Sequence, residues 1–328
     1  MGPEKVAFRI GRSTLSRIES ISSSEQGLES MSLSSGLSNE SRMPERLFLR
    51  LPDDPPCAPG TTVPASTLRE FPVPAPLRSV VTHVTSYEER FAPGAEVVER
   101  VLPDGATRLL VELQCGAAAV HVAGASVSPV VLSMRGHMHG LSIALEPGAS
   151  LALFDVPADE LAGSTVPWSD IALKVHRDLP EQLAAAADDD SRVRVILTVL
   201  GAILRPPNPG SRQLVAQAAG RLQANAGGIS VRSLAAELGL SERRLQQLFA
   251  AQIGLPPSAW RRLQRLHGTL RLLRVAEKPQ WTQIALHHGY YDQSHMINEF
   301  RALCGMTPQQ FQRRVVSGSS NTTGGPAD

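Results

Sequence analysis

Residues 231–260 read VRSLAAELGLSERRLQQLFAAQIGLPPSAW, and residues 281–311 read WTQIALHHGYYDQSHMINEFRALCGMTPQQF. The second stretch repeats the first. Phe249 and Phe300, Gly254 and Gly305, Pro257 and Pro308, and Trp260 and Phe311 stand 51 positions apart, while Ala235 and Ala285, and Gly239 and Gly289, stand 50 apart. Apolar and glycine positions are kept while polar ones change, which is the pattern of one supersecondary unit used twice.

In the first copy Ser230 precedes an apolar pattern at Val231, Leu234, Ala235 and Leu238, predicting a capped helix of about two turns. Gly239 sits where the chain leaves that helix and can take positive φ at little cost. Ser241 then caps a second helix whose Leu245, Leu248 and Phe249 pack on the first. Arg243, Arg244, Gln246 and Gln247 are left facing outward. In the second copy Asp292 is the cap and Ile284, Ala285, Tyr290, Met296 and Phe300 form the packed face, leaving Gln293, Ser294, His295 and Asn298 outside. Two helices joined by a tight glycine turn make a helix-turn-helix, whose second helix suits a DNA major groove. Between the copies, Trp260, Leu263, Leu266, Leu270 and Leu273 recur at helical spacing. A connecting helix over 258–276 spans roughly 28 Å, close to the roughly 34 Å between successive major grooves on one face of DNA. Trp260, Trp281, Tyr290, Phe300 and Phe311 fall on packed faces and read as core.

The runs LAAELGLSERRLQQLF (234–249), GLPP (254–257) and GYYDQSHMINEFRALCGMTPQQF (289–311) resemble the double helix-turn-helix DNA-binding domain of AraC/XylS-type bacterial transcription regulators. The second unit carries that family's pattern as Gly289, Tyr290, Asp292, Ser294, Phe300, Gly305 and Thr307-Pro308. The resemblance implies base-facing roles for Arg243, Gln246 and Gln247 in one helix, and for Gln293, Ser294, His295 and Asn298 in the other. Arg244 belongs with the first group on its helix face. Ser241 and the linker residues Arg261, Arg262 and Arg265 are expected at the DNA backbone. Two departures are Gly268-Thr269, where alanine is usual, and Asn298, where arginine often stands. Without an arginine on its outer face, the second helix is expected to contribute less affinity than the first.

The chain has 328 residues and a net charge of +1, which predicts more than one domain. Residues 1–210 hold 18 basic and 25 acidic side chains (18 − 25 = −7), and 211–328 hold 14 and 6 (14 − 6 = +8), so the positive half is the repeat. Cys57, Cys115 and Cys304 have neither metal-like nor framework spacing. With no transmembrane-length apolar run or signal-peptide pattern, the expected location is the cytoplasm, at the nucleoid, away from membranes.

Residues 1–76 hold 12 serines in the 29 positions 13–41 and 8 prolines in the 25 positions 52–76, predicting a disordered leader. A second such tail is expected at 317–328. From 77 to 157 short apolar runs, among them VVTHVTSY, TRLLVELQ, HGLSIALEP and SLALFDV, alternate with Pro-Gly and Asp-Gly turn signals, predicting a β-rich barrel or sandwich. Helical patterns then fill a bridge over 158–209 that ends in PPNPG. The stretches VVERVLPDGATRLLVEL (97–113), GLSIALEPGASLALFDVPADELAG (140–163) and VPWSDI (166–171) resemble the N-terminal sensor-like domain of a large branch of the same family, which implies a cupin-like barrel. Here Leu145-Glu146 replaces that branch's Phe-Arg before Pro-Gly-Ala.

Chemistry in this half is sparse. His137 and His139 form a His-x-His with Glu146 following, while His83 and His121 could join them only if the fold brings them together. Ordinary polar side chains are the better reading, so neither metal nor cofactor is expected. No Gly-x-Ser-x-Gly elbow, phosphate loop or dinucleotide fingerprint is present. The expected protein is α+β: a β-barrel-like sensor for an unidentified small-molecule effector, and an all-α double helix-turn-helix domain at 210–316 that binds operator or promoter DNA. As an activator it would meet RNA polymerase, and the bridge could form a homodimer. The competing expectation is a metal-dependent cupin-like enzyme carrying a DNA-binding tail.

Overall fold

Strands whose alternate residues face a core build the N-terminal half, as in β5 (Thr107–Gln114), where Leu109, Val111 and Leu113 point inward and Leu110, Glu112 and Gln114 outward. The computed structural model describes residues 45–319 apart from 52–53, 55–60, 173–175, 206–208, 225–228 and 277. Of the disordered segments expected at 1–76 and 317–328, residues 1–44 and 320–328 lie outside the described residues, whereas 317–319 end a helix.

Among the described residues the remaining strands are β1 (Arg46–Phe48), β2 (Leu68–Phe71), β3 (Val81–Arg90), β4 (Glu96–Val101), β6 (Ala117–Ala123), β7 (Val130–Arg135), β8 (His137–Leu145) and β9 (Thr165–Pro167). They form a six-stranded sheet ordered β2-β3-β8-β5-β6-β9 and a three-stranded sheet ordered β1-β4-β7, with β1 parallel to β4. The expected barrel is not closed. The larger sheet ends on β2 and β9, which do not pair with each other, and closure needs every edge paired.

Two further expectations change. The leader ends earlier than residue 76, because Leu47, Leu49 and Leu51 alternate into an apolar core and β2 pairs with β3, the prolines flanking these segments rather than interrupting their ladders. The run SLALFDV is not a strand but the helix α1 (Ala149–Phe154), opened by Gly148 at φ 80° and buried on nearly all sides. A short apolar run of that kind has no periodicity by which helix and strand can be told apart. The bridge expected over 158–209 is helical and also packs into the core of the sheet. Its helices α2 (Ala158–Leu161), α3 (Trp168–Ile171), α4 (Leu179–Ala185) and α5 (Asp189–Ile203) send Leu161, Trp168, Leu179, Leu183, Ile196 and Leu200 into one core with Val84, Leu109 and Ile143 of the sheet.

The C-terminal half is helical throughout: α6 (Pro209–Ala224), α7 (Val231–Glu237), α8 (Glu242–Ile253), α9 (Pro257–Val275), α10 (Trp281–His287), α11 (Gln293–Cys304) and α12 (Pro308–Ser319). Its core contains Leu234, Phe249, Leu266, Phe300 and Phe311, and also Leu47, Leu49, Leu51 and Leu102 from the N-terminal half. The two halves therefore share apolar interior.

Glu99, on the central strand of the smaller sheet, is buried. Burial pushes its carboxyl up to about 7, opposed by Arg46 and assisted by Glu89. Between the ordinary carboxylate value and about 7 the folded chain keeps a proton that the unfolded chain has lost, so stability falls as pH rises through that window. Glu99→Gln removes this titration. Between about pH 5 and about pH 8 the melting temperature of the variant is expected to fall less than that of the parent, as followed by circular dichroism. Equal slopes would rule Glu99 out as the source.

Candidate nucleic-acid interface

Both helix-turn-helix units are built by the same local bonds. Ser230 caps α7 by accepting the Ser233 N–H at 2.9 Å, and Ser241 caps α8 by accepting the Arg244 N–H at 3.2 Å. Asp292 caps α11 by accepting the His295 N–H at 2.7 Å. At the turns, Gly239 and Gly289 take φ of 66° and 72°. The following residue reaches back in each, Leu240 N–H to the Ala235 carbonyl and Tyr290 N–H to the Ala285 carbonyl, both at 2.9 Å. The extra residue in the second turn is absorbed before Asp292 without altering that closing bond.

On α8 the outward side chains are those expected. Arg243, Arg244, Gln246 and Gln247 are exposed, while Leu245, Leu248 and Phe249 are buried. On α11 the expected set divides. Ser294 and Asn298 are exposed. Gln293 is half-buried and its Oε1 accepts from the Thr282 hydroxyl at 3.3 Å. His295 is also half-buried, since its Nδ1 accepts the Tyr291 N–H at 3.2 Å and its ring meets Tyr290 edge-on at 5.8 Å. Two residues were missed. Arg301 is exposed three positions beyond Asn298 on the same helix stripe, and Tyr291 is 87 % exposed in the turn. The outer face of α11 is thus not without an arginine, and three-and-four spacing from Ser294 through Asn298 would have found it.

The residues expected at the DNA backbone are largely occupied within the fold. Ser241 is exposed; its oxygen serves the cap and its hydroxyl proton remains available. Arg261 donates to the Ile229 carbonyl at 3.0 Å, tying the linker helix to the entrance of α7. Arg262 donates to Glu299 Oε1 at 3.0 Å. Arg265 is not on the surface. It pairs with Glu299 at 2.7 Å, the two side chains being 9 % and 11 % exposed, and its guanidinium lies 5.2 Å from the Tyr290 ring centre. Glu299, which carried no sequence signal of its own, therefore fixes α11 to α9.

The linker helix is also held by the N-terminal half. His267 is fully enclosed and donates from Nε2 to the Pro103 carbonyl at 3.0 Å. Burial pulls its pKa down to about 4, so it works as a neutral donor. Gly105, at φ 78°, lets the same loop lie against α9, where an added Cβ would stand 2.7 Å from Leu263 and 3.0 Å from Trp260. Arg274 donates to Asp54 at 2.7 Å. The Gly148 N–H donates to the Gln252 carbonyl at 2.6 Å, near the end of α8. All these contacts leave the N-terminal halves of α8 and α11 uncovered.

In the β-rich half, Glu146 does not join the two histidines; its Oε1 accepts from the Thr82 hydroxyl at 3.0 Å. Glu88 meets them instead, its carboxylate 2.9 Å from His137 Nε2. His139 Nε2 lies 2.9 Å from Asp189 at the start of α5. A separate cavity of about 540 Å3 is lined by Glu70, Phe71, Arg78, His83, Glu146 and their neighbours. Burial lowers the His83 pKa, and its Nε2 has no hydrogen-bond partner. No helix among the described residues is long and apolar enough to cross a membrane.

Residues 234–314 match a family model described as a helix-turn-helix domain. The C-terminal region is a helix-turn-helix domain. Residues 69–167 match a domain of unknown function, running from β2 to β9. No curated protein gave a match. Among solved structures, a transcriptional regulator with an AraC-type DNA-binding domain from Chromobacterium violaceum is 28% identical, with a TM-score of 0.31, over 33% of this chain and 96% of its own. A probable AraC family regulator from Rhodopseudomonas palustris is 27% identical, with a TM-score of 0.29, over 31% and 97%. The DNA-binding domain of AdpA, solved with a target DNA, is 24% identical, with a TM-score of 0.29, over 35% and 97%.

Glu299→Ala leaves the Arg265 charge buried without its partner, and a loss on the order of 3–5 kcal/mol is expected in urea denaturation of the whole chain. Glu299→Gln, which keeps a neutral acceptor, should cost less. A loss below about 1 kcal/mol for the alanine variant would mean that water reaches the guanidinium.

Proposed function

We propose that this chain is a sequence-specific, one-component transcription regulator that lays α8 and α11 in two successive major grooves of double-stranded DNA. The carrying observation is the repeated unit itself, in which two equivalent helices keep exposed polar faces while their packed faces and caps are spent inside the domain. Arg243 and Arg244 suit guanine O6 and N7, and Gln246, Gln247 and Asn298 suit adenine N6 and N7. Ser294, Arg301 and Tyr291 complete the second surface. Gln293 and His295 position that turn and reach DNA only at their edges. The 19 residues of α9 span roughly 28 Å, which supports two readers on one face of a duplex. The excess of +8 in residues 211–328 supplies the sequence-independent attraction.

The effector reading rests on the cavity of about 540 Å3 beside β2 and β3, which has the volume of a small-molecule site and offers Arg78, His83, Glu70 and Glu146 as polar anchors. Glu146 is two residues from Gly148, whose N–H is bonded to Gln252 of α8. A ligand that draws on Glu146 therefore pulls on the end of the first reading helix.

Selection of preferred DNA from a random pool with the full chain tests the reading. Two recognised blocks about one helical turn, roughly 10 base pairs, apart are expected. Arg243→Ala or Gln246→Ala should relax preference in one block only, and Ser294→Ala or Asn298→Ala in the other, by about 1–3 kcal/mol per lost base contact. A pool that shows no preference, or a single block unaffected by the α11 changes, would overturn it.

A further inference from the structure

We infer that Glu88, His137 and His139 form a binding site for a divalent transition-metal ion of the zinc type. The strand register brings them together. Along β8 the two histidines are two positions apart and so share a face, and in the β3–β8 ladder Glu88 is paired directly with His139. Each of the three offers one ligand atom, and those atoms all lie within 4.8 Å of one another. The two imidazole rings stack with centres 5.9 Å apart. Glu88 and His137 are half-exposed and His139 is largely covered, so the ion has an entry path on one side and a fixed wall on the other.

The wall is built. Asp189, in the first turn of α5, lies 2.9 Å from His139 Nε2 and is itself held by Arg192 at 2.9 Å. A carboxylate on one ring nitrogen sets the tautomer and orientation of a ligating histidine, and Asp189 is the residue placed to do this. Two imidazoles and one carboxylate suit zinc and its first-row neighbours rather than calcium or magnesium, which favour all-oxygen shells. A cavity of about 110 Å3 lined by His137, His139, Cys115 and Arg192 adjoins the group. The ion would hold β3 and β8 together and, through Asp189, fasten them to α5.

The inference does not depend on what the C-terminal half binds, and its test reads metal alone. The full-length chain, free of any histidine tag and treated with chelator, is titrated with zinc chloride by calorimetry, and the cobalt-loaded protein is examined by absorption spectroscopy. One zinc per chain is expected. Glu88→Gln and His137→Ala, both on the half-exposed side, should weaken it at least tenfold with an unchanged circular dichroism spectrum. Asp189→Asn should weaken it about 10-fold to 100-fold as a positioning residue, and the cobalt absorption bands should shift. Cys115→Ser should leave the affinity unchanged, placing the ion on the histidines rather than the nearby thiol. Absence of zinc binding by the folded parent overturns the site. So does binding that survives His137→Ala combined with Glu88→Gln, or binding lost only in Cys115→Ser.

Discussion

A helix packed on nearly every side has to satisfy its polar side chains from within the protein, and α9 is such a helix. Gln264, Arg265, His267 and Thr269 are buried on it together with Leu263, Leu266, Leu270 and Leu273. Each polar group whose partner is known reaches a different body: Arg265 goes to Glu299 of α11, His267 to the Pro103 carbonyl of the β-rich half, and the Thr269 hydroxyl to the Arg265 carbonyl of its own helix. An unpaired buried charge costs several kcal/mol, so these partners fix where the second reading helix and the β-rich half stand against the linker.

The same partnering accounts for most of the arginines on α9. Arginines on α9 looked, from their number, like a phosphate-binding stripe. Arg261, Arg262, Arg265 and Arg274 all have protein acceptors, and the buried Arg265 also stacks beside Tyr290. On the outer faces, Arg243 and Arg244 of α8 and Arg301 of α11 are exposed.

The helical half was legible because its signals are local: caps at Ser230, Ser241 and Asp292, glycines at the turns, and leucines at three-and-four spacing. Each is decided within a few residues of itself, and the duplication stated it twice. What sequence could not carry was pairing across distance. Glu299 reads as one acid on a polar helix face until α9 brings two arginines to it. Glu88 reads as a strand carboxylate until the β3–β8 register sets it against His139, whereas Glu146, nearer in sequence, belongs to Thr82. The leader's Ser- and Pro-rich composition likewise hid β1 and β2, since composition averages over residues while a ladder needs only a few well-placed ones.

Leu102, Pro103 and Gly105 sit on a turn between two strands, yet they belong as much to α9 as to the sheet. A boundary drawn near residue 210 is therefore a boundary in the chain only. A chimera joined there would keep every covalent bond of both halves, but Leu47, Leu49 and Leu51 would lose their cover and the Pro103 carbonyl its donor. Exchange of the helical half between such chains would have to carry the facing turn along with the linker helix, so the β-rich and helical halves meet as matched surfaces rather than as interchangeable cassettes.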